Sequence, residues 1–303
     1  MNFDLTDFRL ILNIAETQNL TRAAERTFLS TPAASNRIKN LEHIWGLKVL
    51  ERSSQGVELT EVGQVYLKYA KSVYHEIECL KGELSKFNAL IQGRLSIVAN
   101  TTAIAEYIPT TLSEYLISHP HVDVNLKEML SEDIVNIVAD KRADIGIISG
   151  NIDTRNLQTI PLISSQLVLI APKQHLILQS SNVTLANAIQ YSLVTLHEGS
   201  AIQIFLNKLS QQLNKKINIR VQVSSYDSVC QMVAAGAGIA IIPLAAFQRL
   251  QHIHPNIEYR NIDEKWAHRG FQICAINFDD ISQFAKDFIQ CLTSHIQNNV
   301  TQV

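Results

Sequence analysis

The chain has 303 residues, 46% hydrophobic and 18% charged, with a formal net charge of −2. That balance fits a folded globular protein and excludes a polycation. No apolar run reaches the ~18 residues of a membrane span, and the start, MNFDLTDFRL, has acids where a signal peptide would have basic residues, so a cytoplasmic protein is expected. The four cysteines, Cys79, Cys230, Cys274 and Cys291, form no C-x-x-C pair and no zinc-ligand spacing. They read as reduced thiols, and no metal or other cofactor is expected.

In chain order, Leu5, Phe8, Leu12 and Ala15 recur at helical spacing and predict a helix over about 4–16. Asn19 or Thr21 can cap a short second helix, in which Ala23 and Ala24 allow close approach of a neighbour. After the turn F-L-S, Ser30 or Thr31 supplies an N-cap and Pro32 falls in the first turn, which starts a third helix. Its apolar stripe is Ala34, Ile38, Leu41 and Trp45; Pro32, Asn36, Lys39 and His43 point the other way, with Ser35 on the flank. Taken alone this is an ordinary surface helix. The tight helix–turn–helix before it changes the reading, because that pair places a helix in the major groove. Asparagine pairs bidentately with adenine, and lysine reaches guanine or phosphate. Val49 and Leu50, a polar turn with Gly56, then Val57 and Leu59 predict a β-hairpin wing with Arg52 at its base, facing phosphate or an ion pair.

Charge alone does not support nucleic-acid binding. The seven bases Arg9, Arg22, Arg26, Arg37, Lys39, Lys48 and Arg52 are matched by Asp4, Asp7, Glu16, Glu25, Glu42, Glu51 and Glu58. The order of motifs does support it. AETQNLTRAAERTFLSTPAASNRIKNLE, followed by VLER and LTEVG, resembles the winged helix-turn-helix of LysR-type transcriptional regulators over some sixty residues. The resemblance implies double-stranded DNA as partner, read by Arg22, Thr31, Pro32, Ser35, Asn36, Lys39 and Arg52. The family often has glutamine before the proline and arginine after the serine. Thr31 and Asn36 stand there, so base preference does not carry over.

From Thr60 no proline occurs until Pro109, and Leu59, Val62, Tyr66, Ala70, Val73, Ile77, Leu80, Leu84, Phe87 and Ile91 alternate spacings of three and four with one irregularity. This predicts a long helix with a coiled-coil seam, stopped at Gly93; packing on its own domain is the alternative. The resemblance implies a dimerising linker, a homodimer or homotetramer, and RNA polymerase as a further candidate partner.

Beyond Arg94, strands and helices alternate. RLSIVAN, VDVNL, ADIGIIS, LVLIAP, SLVTL, IRVQV and GIAIIP read as mainly parallel strands, with helices over 103–118, 200–212, 226–235 and 281–297 among others. The fold class is therefore α/β overall. An all-α winged helix-turn-helix (1–59) and linker helix (60–92) precede what the resemblance implies is a two-lobed, periplasmic-binding-protein-like effector domain (93–303). Lobe 1 is expected over about 93–163 and 268–303 and lobe 2 over about 164–267, with crossings near 162–166 and 264–269. A small organic anion or amino acid is expected where strands lead into helix N-termini: Asn100, Thr101 and Thr102; Glu198, Gly199 and Ser200; and Ser149 with Gly150 at a third strand end. Plain N-capping is the competing explanation at each, and no aromatic cluster is expected nearby.

An enzyme is not expected. The sequence carries no G-x-S-x-G, H-E-x-x-H or Walker pattern, and its histidines are scattered. Gly236 and Gly238 follow a helix and precede a strand, the reverse of a dinucleotide fingerprint, and read as a tight turn. A secreted solute receptor would explain the C-terminal part but not the winged N-terminus.

Overall fold

The computed structural model describes residues 3–53, 56–85, 87–88, 90–150 and 152–300. The chain divides into two compact units, 1–91 with 140–142, and 92–139 with 143–303.

The first unit is built on α1 (Leu5–Thr17), α2 (Leu20–Arg26), α3 (Thr31–Trp45), the hairpin β1 (Leu50–Ser53) and β2 (Gly56–Leu59), and α4 (Glu61–Ser85). Asp4 caps α1 in a reciprocal box with Asp7, Asn19 caps α2 and Ser30 caps α3, each supplying an oxygen to orphan N–H groups. Leu10, Ile11, Ile14, Ala23, Ala24, Ala34, Ile38 and Leu41 form the core. Trp45 departs from its expected stripe. It is the last residue of α3, 48% exposed, and rests against Phe3 at 5.9 Å between ring centroids.

The hairpin is held at both ends. Gly56 has φ +141°, and a Cβ there would lie 2.4 Å from the Gln18 carbonyl oxygen, which accepts from Val57 N–H at 3.1 Å. At the base, Glu42 of α3 accepts from Val49 N–H (3.0 Å), Leu50 N–H (3.3 Å) and the Lys48 ammonium (2.8 Å).

The seam of α4 is shared differently from the single apolar stripe expected. Val62 and Tyr66 pack into the unit's own core with buried Leu67 and Ala70, whereas Val65, Tyr69, Leu80 and Leu84 are exposed. The helix ends at Ser85, before Phe87 and Ile91.

The second unit contains β3 (Gly93–Ala99), a π-helical turn (Ala103–Tyr107), α5 (Ile108–Ser118), β4 (Val122–Glu128), α6 (Ser131–Ala139), β5 (Ile145–Ser149), β6 (Gln158–Pro172), α7 (Leu185–Ala188), β7 (Leu193–Leu196), α8 (Ala201–Gln212), β8 (Ile219–Val223), α9 (Tyr226–Ala234), β9 (Ala240–Pro243), α10 (Leu244–Leu250), β10 (Ile257–Asn261), β11 (His268–Ala275) and α11 (Gln283–Val300). The sheet order is β10-β6-β11-β5-β3-β4, with β9 also on β6 and β7 paired to β8. The strands are less uniformly parallel than expected. β3 is parallel to β4 and β5, and β7 to β8, but every pairing of β6 and β11 is antiparallel. The cause is that β6 and β11 carry the chain between lobes in opposite directions. Ile163 of β6 and Phe271 of β11 pack in one core, while Leu167 and Ala267 pack in the other. Gly236 (φ +78°) and Gly238 (φ +159°) make the turn from α9 to β9.

Burial pushes the Glu42 carboxyl up, but its Lys48 and backbone N–H partners outweigh that and hold it below its ordinary 4.5. A depressed carboxyl stabilises the fold above its unfolded pKa, and that contribution is lost as pH falls through the folded value. Glu42→Gln should therefore cost ~1 kcal/mol at neutral pH and flatten the loss of stability on acidification below about 4.5. Thermal unfolding of the full chain against pH reads this; parallel curves for the two proteins would refute it.

Candidate functional site

On α3, Pro32, Asn36 and Lys39 are exposed and Thr31 and Ser35 are half-buried, so the predicted face does look outward. The ion pairs explain how a charge-neutral unit can still present a cationic face. Arg37 is tied to Asp4 (3.1 Å) and buried Asp7 (2.9 Å), Lys48 to Glu42, and Arg26 to Glu16 (3.1 Å). Arg9 donates to the Tyr74 hydroxyl at 3.1 Å. Among the described residues, Arg22 and Lys39 have no acidic partner within 4.0 Å. The acids therefore neutralise the bases that fasten helices together and leave those two free. Arg52 pairs with Val57 through the β1–β2 ladder, and its side chain lies outside the described residues.

In the second unit the polar strand ends are unequal. Asn100 is buried and spent on its own surroundings. Its amide nitrogen donates to the hydroxyls of Ser149 (3.0 Å) and Ser131 (3.4 Å), and its oxygen accepts from Ala103 N–H (3.0 Å). The expected unpaired helix start after β3 is thus capped from within and enters a π-helical turn. Gly150 N–H is also used, by Gly270 O at 3.0 Å. Thr101 and Thr102 instead reach the other lobe. Thr101 Oγ1 donates to Glu128 (2.6 Å) and accepts from Ala201 N–H at the start of α8 (3.3 Å), while Thr102 Oγ1 lies 3.2 Å from the Tyr226 hydroxyl. The junctions at 100–102 and 198–200 therefore face one interlobe cleft. Glu198 and Gly199 are exposed on its rim. Ser200 at the α8 N-cap is fully buried, and its hydroxyl caps nothing and has no hydrogen-bond partner among the described residues. Asp227 does not cap α9, a role taken by Ser225; it pairs with His254 at 3.4 Å.

Sequence reasoning missed the cleft's main charge. Arg269 of β11 donates to Ser149 O (3.3 Å) and lies 4.1 Å from the ring centroid of Phe205 on α8. Burial pushes its pKa below the ordinary arginine value, and Tyr226 works against that. Phe205 and Trp266 stack edge to face at 5.9 Å, so aromatic groups do line the region, contrary to expectation. Phe205 lies far from Trp266 and Arg269 in sequence, and the crossing segment brings them together. A second interlobe tie is the two-pronged pairing of Arg249 with Glu106 (3.0 and 2.8 Å). Among the described residues no group of three His, Cys, Asp or Glu could hold a metal, and no helix is long and apolar enough to cross a membrane.

An exposed polar helix after a tight turn, and a separate two-lobed unit with a polar cleft, define a ligand-responsive DNA-binding protein. The family model "Bacterial regulatory helix-turn-helix protein, lysR family" matches residues 5–64, and "LysR substrate binding domain" matches 88–297. A probable RuBisCO transcriptional regulator of Thalassiosira pseudonana is 28% identical over 82% of this chain and 83% of its own. The crystal structure of full-length CbnR with its target DNA is 18% identical, with TM-score 0.61, over 96% of this chain and 99% of that one. The Synechocystis PCC6803 CcmR regulatory domain in complex with 2-PG is 22% identical, with TM-score 0.56, over 68% of this chain and 99% of that one. The chain belongs to the LysR family: it is a DNA-binding transcriptional regulator modulated by a small-molecule effector.

Proposed function

We propose that Asn36 and Lys39 on α3, flanked by Thr31, Pro32 and Ser35, read base edges, and that Arg22 and Arg52 hold phosphates. Two copies joined through the exposed stripe Val65, Tyr69, Leu80 and Leu84 of α4 would read two half-sites, doubling the phosphate contacts of a charge-neutral unit. Dimer or tetramer, such a regulator acts in the cytoplasm where its DNA is, with RNA polymerase as a downstream partner.

The effector, a small organic anion or an amino acid, binds between the lobes against Thr101, Thr102, Ser200 and the start of α8, with Glu198 and Gly199 at the rim and Asn100, Ser149 and Gly150 supporting the floor. The observation that carries this is the buried, unpartnered Ser200 hydroxyl at the head of a twelve-residue helix. A buried hydroxyl without a partner is costly, and a helix start favours an anion.

Asn36→Ala should relax preference at one or two base pairs and cost about 1–3 kcal/mol on the preferred site, whereas Arg22→Ala should weaken all sequences alike and flatten the salt slope by about one unit. Selection from a randomised site library decides; an unchanged ranking for Asn36→Ala would move base reading off this face. Leu80→Asp with Leu84→Asp should reduce both the sedimenting mass and the DNA affinity of the full chain. An unchanged mass would remove α4 from assembly. Thr102→Ala and Ser200→Ala should each weaken effector binding by about 0.5–1.5 kcal/mol and leave effector-free DNA binding intact. Calorimetry with an effector found by thermal-shift screening of metabolites measures this, and wild-type affinity in both variants would place the site elsewhere.

A further inference from the structure

Two arginines lie between the lobes, and they are unlike. Arg249 is satisfied by both carboxylate oxygens of Glu106, whose side chain is only 2% exposed. Arg269 is half-buried, and among the described residues no carboxylate lies within ion-pair distance of it. Its contacts are one backbone carbonyl, Ser149 O in the first lobe, and the face of Phe205 in the second. A guanidinium has five donors, and neither a carbonyl nor a ring neutralises its charge. Glu128, the acid on the neighbouring strand end, is already engaged by Thr101.

The surroundings are shaped for this side chain. Gly150, immediately after β5, has φ +86°, and a Cβ there would lie 3.1 Å from Arg269 Nη2, so a larger residue would be both strained and in contact with the guanidinium. Phe205 lies one turn along α8 from Ala201, next to the unpartnered Ser200. A desolvated cation without a counter-ion is expensive to keep in a folded protein.

We infer that Arg269 is the anchor for the effector's acidic group, so that the effector carries a carboxylate or phosphate which becomes the missing counter-ion. This rests on the interlobe reading above and adds that the effector's acid group, which an organic anion and an amino acid both carry, is the part that is required. The planar fork matches either oxyanion in a two-bond contact. Because Arg269 touches Ser149 in one lobe and Phe205 in the other, an anion held there engages both.

The test uses the full chain and three probes: inorganic phosphate, glycolate, and 2-phosphoglycolate, which carries both groups. Thermal shift and calorimetry should show binding of at least one by the wild type, the phosphate and glycolate arms telling which oxyanion is favoured. Arg269→Gln should weaken that binding about ten- to a hundredfold, the size of a lost charge-assisted bond, and Arg269→Lys should restore part of it. Without probe, Arg269→Gln should melt at or above the wild type, because it removes an uncompensated charge. A clear drop would make Arg269 structural and overturn the proposal. If Ser200→Ala weakens probe binding and Arg269→Gln does not, the cleft stands and the anchor is wrong. If neither weakens it, the cleft reading fails as well. A wild type that ignores all three probes at millimolar concentration overturns the requirement for an acid.

Discussion

The antiparallel pairing of β6 with β11 is the constraint on which the second unit depends. The ladder runs from His268↔Gln166 to Ala275↔Gln158, with an irregularity between Phe271 and Gln272. β6 spans both lobes, with Ile163 in one hydrophobic core and Leu167 in the other, while Phe271, Ile273 and Ala275 of β11 lie in the first core and Ala267, just before the strand, in the second. The cleft lies between the two cores that this pair joins, with Thr101, Thr102 and Glu106 tied across it to Ala201, Tyr226 and Arg249. Arg269, next to the start of β11, is carried into it by that geometry.

Polar groups in this unit sort by whether the fold consumes them. The Asn100–Ser149–Ser131 cluster is closed: every partner is internal, and it fixes the ends of β3 and β5. Thr101 and Thr102 are half-closed, each bonded across the lobes. At the cleft, Ser200 and Arg269 are left over, one without a hydrogen-bond partner and the other without a counter-ion among the described residues. Native interiors rarely leave such groups unsatisfied, although Thr111, Thr195 and Gln203 in the same unit also hold unpartnered buried atoms.

The first unit uses the same logic with charge. A one-for-one balance of acids and bases looks incompatible with a polyanionic partner. It ceases to be so once Asp4, Asp7, Glu16 and Glu42 are seen to be committed to Arg37, Arg26 and Lys48. Those pairs bind α1 to α3, α1 to α2, and α3 to the wing, and leave Arg22 and Lys39 facing outward.

The sequence by itself determined what short-range physics determines. Caps at Asn19 and Ser30, Pro32 in a first turn, alternation in the strands and glycines at the α9–β9 turn are local signals, and the elements form where they stand. The outward face of α3 was legible for the same reason, since three residues of one stripe suffice to orient a helix. The order of motifs carried the family resemblance. Tertiary structure alone decided the rest. It set the antiparallel sense of β6 and β11 and the division of the α4 seam between an internal core and an exposed stripe. It closed Asn100 and Ser149 into their own network and placed Arg269 over Phe205, sixty-four residues away in the chain. Each of these depends on which distant side chain arrives as partner, and a partner brought by a crossing strand leaves no periodicity or spacing in the sequence to be read.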